Sequence, residues 1–224
     1  MVIRQRAVLA EDKQERHHAI LDAADRLLAR SPERVANVAE VADEAGLAKG
    51  TVYLYFPSKE ELLLALHERH IDDFFLALIQ RLGRDEPVAL DDMMRLTNEH
   101  IVERPTFLPL ATRCFGIMAT EVPPETAGAF QQRMAERLQA AGAGLERHFP
   151  ELREGDGVVL LRRSFALIVG LWQMSWSHPH VQATPCGLSP LEFPRELAFA
   201  LRALWEGTMG RPLGPVTVPE VQEA

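Results

Sequence analysis

Cysteine is scarce. Cys114 and Cys186 are the only two in 224 residues, and no metal-ligand spacing surrounds either. That excludes a disulfide-stapled or zinc-stapled fold and predicts a reduced, intracellular protein. Aromatic residues make up only 7%, and few stretches alternate apolar with polar residues, which argues against sheet and for helix. Long hydrophobic runs are missing too. The most apolar stretch, Phe165 to Trp172, is far shorter than the roughly 20 residues of a membrane span. Charges interrupt the opening MVIRQRAVLAEDKQE too early for a signal-peptide core. A cytoplasmic protein with no membrane partner is the expectation.

Catalytic and cofactor signatures are equally sparse. There is no Gly-x-Ser-x-Gly and no phosphate loop. Gly142-Ala143-Gly144 lacks the third glycine and the preceding strand of a nucleotide fingerprint. His67-Glu68-Arg69-His70 is one residue short of the HExxH zinc spacing, and an exposed stretch of helix accounts for it. His178 and His180 flank Pro179 without a nearby cysteine and read as surface histidines, and Arg162-Arg163 reads as a solvated face. No cofactor, metal or enzymatic activity is expected. A basic surplus is absent as well. The net charge of −8 excludes a general nucleic-acid coat, so any DNA contact has to come from a local surface.

What is present is helical periodicity. Residues 1 to about 12, with Arg4 and Arg6, read as an arm, either a loose tail or a basic arm along a DNA backbone. A first helix follows, with Asp12 and Glu15 at capping-box spacing and Ile20, Ala23, Ala24, Leu27 and Leu28 on one face. Ser31-Pro32 stops it. A short helix starts at Asn37 with Glu40 three residues on, and buries Val38, Val41, Ala42 and Ala45. Gly46 ends it. A third helix begins near Ala48 and stops at Pro57. Ser58, with Glu61, caps a long fourth helix. Beyond a linker at Gly83–Pro87, helices are predicted near 89–103, 106–120, 125–148, 156–177 and 192–208. A loop spans His178–Pro190 and a loose tail 211–224.

The informative stretch is Asn37 to Leu62. A short helix, a tight turn at Ala45-Gly46-Leu47 and a second short helix are the parts of a helix-turn-helix. It holds its second helix proud, able to enter a major groove about 12 Å wide. From Leu47 to Lys59 there is no Asp or Glu, Lys49 and Lys59 bracket the run, and Thr51, Tyr53, Tyr55 and Ser58 supply hydroxyls suited to phosphates and base edges. The candidate DNA-contacting residues are Asn37, Lys49, Gly50, Thr51, Tyr53, Leu54, Tyr55 and Lys59. Residues 1–66 as a whole carry nine Lys/Arg against eleven Asp/Glu, so most of those acids should face away from the groove.

Val38 to Leu62 reads VAEVADEAGLAKGTVYLYFPSKEEL, and this run resembles the TetR family of bacterial regulators. The resemblance covers about residues 13–66 and extends to the all-helical plan of the rest. It implies an all-α homodimer that binds a palindromic double-stranded DNA operator and lets go when a small ligand enters the C-terminal domain. On the family pattern Tyr53 and Tyr55 would touch DNA, Thr51 would cap or contact the backbone, and Lys59 would hold a phosphate. Many relatives carry a polar residue, often His, between the two tyrosines. Here it is Leu54, which either packs on a thymine methyl or is silent.

The expected architecture is therefore all-α, with a three-helix DNA-binding domain at 13–60 and a helical ligand-binding and dimerisation domain at 61–210. The helix near 156–177 is apolar nearly all round from Phe165, so it has to bury more than one face. Phe165 and Ile168, with Leu197, Leu201, Leu204 and Trp205 of the last helix, are the dimer-interface candidates, the alternative being that they fill the core of one chain. Met94, Phe107, Phe115, Met118, Trp172 and Met174 are adaptable apolar residues of the kind that line ligand sites or simply fill cores, with His100, Cys114 and Gln173 as polar anchors. The effector they imply is small and largely apolar. The competing reading is a constitutive or low-specificity DNA-binding protein without an effector.

Overall fold

The computed structural model of the protein describes residues 2–175 and 192–210, with side chains from residue 12 onward. His178, His180, Cys186 and the tail from residue 211 lie outside the described residues. Among the described residues the secondary structure is helical throughout: α1 (Val2–Arg30), α2 (Val38–Ala45), α3 (Lys49–Tyr55), α4 (Lys59–Leu82), α5 (Leu90–Thr97), α6 (Phe107–Thr120), α7 (Pro124–His148), α8 (Asp156–Ser175) and α9 (Phe193–Gly210). The expected all-α class holds. Two expectations change in detail. α1 begins well before residue 13, so Asp12 lies inside the helix and caps nothing. The predicted helix near 89–103 is α-helical only to Thr97 and then widens into a π-helical turn over Asn98–Val102, closed by the Glu103 N–H on the Asn98 carbonyl at 2.9 Å.

The chain forms two compact units, Met1–Ala77 with Arg95–Ala135, and Leu78–Met94 with Glu136–Ala224. The first is built around Ile20 of α1, Val41 of α2, Val52 of α3, Leu62 and Leu66 of α4, and Phe107 and Leu110 of α6, all buried. Polar groups are buried beside them. His67 and His70, expected on an exposed stretch, are 4% and 0% exposed. The correction has a simple cause: His67, His70 and the apolar Leu63, Leu66 and Ile71 fall on the same helical face, and position on that face outweighs residue type. His67 packs between the rings of Phe107 and Phe130, with centroids 5.7 and 6.4 Å away.

His70 Nε2 stands 3.1 Å from Asp25 Oδ1, too bent for a well-formed hydrogen bond, while the Thr106 hydroxyl donates to the same oxygen at 2.8 Å. Burial opposes ionisation of Asp25, but the His70 ring, the Thr106 hydroxyl and Arg104 outweigh it and bring its pKa down to about 2. Burial lowers the pKa of His70 in spite of that carboxylate. Arg113 of α6 donates to the carbonyls of Pro32 and Glu33, each at 2.8 Å, tying α6 to the turn that ends α1.

The second unit turns on a close helix crossing. A Cβ on Gly157 of α8 would fall on the Gly142 carbonyl of α7, and a Cβ on Gly142 would meet Val158 at 2.7 Å. The Gly-Ala-Gly run is thus a packing feature, with Gly144 pressed against Leu82 in the same way. Glu146 Oε1 accepts the N–H groups of Gly155 and Gly157 at 2.9 and 3.0 Å and fixes the start of α8. α8 packs on α9; Leu160, Ile168, Leu197 and Leu201 are buried, and Trp205 Nε1 donates to Ser164 Oγ at 2.9 Å. At 20 residues α8 is, by length and composition, apolar enough to cross a membrane, which the shorter Phe165–Trp172 stretch did not suggest. Asp156 and the exposed Arg162 and Arg163 interrupt it, and its Leu160, Leu161, Ile168 and Val169 are buried against protein.

Candidate nucleic-acid interface

Each boundary of the helix-turn-helix has a local cause. Asn37 Oδ1 accepts the N–H groups of Ala39 and Glu40 at 2.9 and 3.1 Å, and Glu40 Oε2 accepts the Asn37 N–H at 2.8 Å. This reciprocal box starts α2. Gly46 ends it in the left-handed conformation, φ +67°, with the Leu47 N–H on the Ala42 carbonyl at 2.9 Å. A Cβ on Gly46 would meet nothing, so the requirement is backbone handedness and not space. Val52, 0% exposed, and Phe56 anchor α3 from below, and the Phe56 ring lies 4.8 Å from that of His17 on α1. Burial, then the charges of His18, Arg69 and Lys13, lower the pKa of His17.

The rest of α3 faces outward. Lys49, Gly50, Tyr53 and Leu54 are exposed, Thr51 and Tyr55 are half-buried, and Leu54 reaches 82%. Lys49 Nζ lies 5.8 Å from the Tyr53 ring centroid, within cation–π range. Tyr55 leans toward His17, its ring 6.5 Å away. Ser58 Oγ accepts the Glu61 N–H at 3.1 Å and so sets the start of α4, whose first residue is the half-buried Lys59. Seven of the eight candidate DNA-contacting residues therefore come together on α3 and the head of α4. The eighth, Asn37, spends its side-chain oxygen on the cap of α2.

Sequence reasoning missed how the acids are disposed. Glu44 is held by Arg26 and Arg30 of α1, both at 2.8 Å, and Glu40 by Arg34 at 2.7 Å. The Arg34 guanidinium, and then the Asn37 N–H, lower the pKa of Glu40. The Arg26/Arg30 spacing of four was the legible signal, since it places both guanidiniums on one helix face.

The ligand-site candidates are spread. Phe107 and Cys114 are buried on one face of α6, and burial pushes the Cys114 thiol up to about 12. Phe115 and Met174 point outward at 52% and 74% exposure, Gln173 is exposed, and Met94, His100, Met118 and Trp172 are half-buried. Trp172 packs on Phe193 with centroids 5.2 Å apart. A cleft of about 340 Å³ in the first unit is lined by Asp22, Asp25, Arg26, Ala29, Arg104, Pro105 and Thr106, and by none of these candidates. Of the dimer candidates, Ile168, Leu197, Leu201 and Trp205 fill the core of the single chain, and Phe165 and Leu204 are half-buried. The large apolar side chains left open on α8 and α9 are Val159, Met174 and Phe199.

Comparison with known proteins places these features in a family. A model of bacterial regulatory proteins of the tetR family matches residues 20–66, and a tetracyclin repressor-like C-terminal domain matches residues 68–212. The fatty acid metabolism regulator protein of Bacillus subtilis is 33% identical over 75 residues, covering 34% of this chain and 37% of that protein. The HTH-type transcriptional regulator EthR of Mycobacterium tuberculosis is 41% identical over 64 residues, covering 29% of this chain and 30% of its own length. The chain thus spans less than half the length of the curated relatives it matches. Among solved structures, SmeT, the repressor of a Stenotrophomonas maltophilia multidrug efflux pump, superposes with a TM-score of 0.53 at 21% identity over 85% of this chain and 89% of SmeT. PfmR of Thermus thermophilus, a TetR family transcriptional regulator, gives 0.53 at 20% identity over 83% and 96%. At these identities the likeness is one of fold. With both domain models matched in succession and the helix-turn-helix in place, the chain belongs to the TetR family of bacterial transcriptional regulators.

Proposed function

We propose that this protein is a ligand-responsive repressor that binds a palindromic operator as a homodimer and is released by a small, largely apolar effector. The reader is residues 13–60, and residues 61–210 sense the ligand and dimerise. The observation that carries the proposal is the outward face of α3, where Lys49, Gly50, Tyr53 and Leu54 stand exposed and no acid intervenes between Leu47 and Lys59. Val159, Met174 and Phe199, open on α8 and α9, support a helical seam between two copies, which would set two recognition helices about 34 Å apart. The hydrogen bonds of Arg113 to the Pro32 and Glu33 carbonyls, and of Thr106 to Asp25, give an effector that shifts α6 a mechanical hold on α1. Such an effector acts only through its differential affinity for the DNA-bound and released forms.

The test is a titration of the full chain against duplex from upstream of its own gene, beside a scrambled duplex, at physiological salt. A preference of about a thousandfold or more is expected, and Lys59→Ala should shallow the salt slope by about one unit. Effector and operator should weaken each other by the same factor. Simultaneous, independent saturation by both would remove the induction model and leave a constitutive DNA-binding protein. Equal, weak binding to both duplexes would remove the repressor reading of its own promoter.

A further inference from the structure

Gly50 and Leu54 sit one helical turn apart, so they share a face of α3. Leu54, 82% exposed, is the most exposed of the large apolar side chains among the described residues. Gly50 is odd in a different way. Its φ is not positive, and a Cβ there would meet nothing within 4 Å. Neither backbone conformation nor internal packing asks for glycine, yet glycine weakens a helix, and a helix of seven residues has little stability to lose. The fold thus carries a bare backbone and a bare isobutyl group side by side, pointing away from itself. A surface that comes close from outside accounts for both.

The occupant follows from the chemistry of a helix in the major groove. Leucine offers no donor or acceptor, so against an amino group, a carbonyl or a ring nitrogen it would leave the base edge unpaired. Thymine alone presents a methyl group there. We propose that Leu54 reads the 5-methyl of one thymine in each half-site, and that Gly50 lets the helix backbone approach closely enough for that contact. The inference rests on the placement of α3 in the groove, and it adds the base and the means of reading it. Tyr53 and Lys49, flanking the same face, supply the polar contacts that Leu54 cannot.

The test begins with duplexes selected by the full chain from a randomised pool. Each thymine of the selected duplex is then replaced, one at a time, by deoxyuridine, which removes only the methyl. One thymine per half-site should respond, with affinity falling about fourfold for one substitution and about fifteenfold for the symmetric pair. In Leu54→Ala, whose exposed side chain makes loss of folding no concern, the same replacements should change nothing. Gly50→Ala should keep or raise the melting temperature while weakening binding by about tenfold. If no thymine responds, or if the loss persists in Leu54→Ala, the methyl-reading role is overturned while DNA binding stands. If no duplex is preferred over a scrambled control, groove reading fails and takes this proposal with it.

Discussion

His67 makes a sharp test of the buried polar core. It is 4% exposed, its Nδ1 has no hydrogen-bond partner, and two phenylalanine rings flank it. Burial, and then the neighbouring His70, lower its pKa to about 3, with Glu68 pulling the other way. In the unfolded chain the ring titrates near 6.5. Between those two values the unfolded chain holds a proton that the folded chain refuses. The stability contributed by the neutral ring is therefore complete above about pH 6.5 and is lost as pH falls toward 3. At pH 5 the loss is about 2 kcal/mol, from some 1.5 pH units at about 1.4 kcal/mol each.

Urea unfolding at pH 7.5 and pH 5.0, at one protein concentration so that any association enters equally, measures it directly. His67→Leu keeps the bulk and removes the titration. The wild-type protein should lose about 2 kcal/mol more than the variant between the two pH values. His70 and its neighbour Asp25 are present in both proteins, so their own titrations cancel apart from the His67–His70 coupling, which is smaller than the burial effect. Equal losses would show that His67 is not held neutral, and the account of the α4–α6 packing would have to be abandoned.

The remaining predictions concern packing, caps and one carboxylate. Gly157→Ala places a methyl on the Gly142 carbonyl and should cost at least about 2–3 kcal/mol in the denaturant midpoint, because α7 and α8 have to separate. Ser164→Ala leaves the Trp205 N–H buried without a partner and should cost about 1–3 kcal/mol by thermal unfolding; a loss within error would mean the bond is not made. Asn37→Ala removes the acceptor for two N–H groups and should cost about 1 kcal/mol. For Asp25, the folded pKa of about 2 lies below the unfolded value near 3.9, so its contribution is present above pH 4 and fades as pH falls to 2. Asp25→Asn should therefore be less stable at pH 6, and melting curves of the two proteins should converge toward pH 2.

The sequence was most legible where a local rule acts alone. The Asn37–Glu40 box, the left-handed Gly46 and the Ser58–Glu61 cap each involve residues within a few positions of one another, and each forms as expected. The outward side of α3 is settled by packing that the sequence reading did not assign. Val52 and Phe56 are buried, and Lys49, Gly50, Tyr53 and Leu54 stay exposed. Tertiary partners were not legible. The helical face that His67 and His70 share with Leu63, Leu66 and Ile71 points them inward, but the groups that cover His67, Phe107 of α6 and Phe130 of α7, are distant in sequence. The same holds for Leu197, Leu201 and Trp205. Their spacing announces a buried stripe but not whether the partner is α8 of the same chain or a second copy; all three are buried within the single chain, Trp205 against Ser164 of α8. The π-turn at Asn98–Val102 has no sequence signal in the helical period and emerges only as a register change.

An acidic chain that reads DNA is not a contradiction once the acids are placed. Residues 1–66 hold eleven Asp/Glu against nine Lys/Arg. Glu44 is committed to Arg26 and Arg30, Glu40 to Arg34 and the cap of α2, Asp22 and Asp25 to Arg69, and Glu61 to Ser58. These contacts use the acids to brace α1, α2 and α4, and the stretch from Leu47 to Lys59 keeps none. The stretch itself brings Lys49, Lys59 and the hydroxyls of Thr51, Tyr53 and Tyr55 to the surface, while Glu40 is near enough to Lys59 for that cation to lower its pKa, so the local potential is only weakly positive. With so few cations on the reading face, counterion release contributes modestly. On the proposed reading, affinity leans on short-range contacts from Tyr53, Leu54 and Tyr55, which include the chain's only two tyrosines. The overall charge of −8 works in the same direction: it disfavours binding to arbitrary DNA and leaves the close fit of α3 to discriminate.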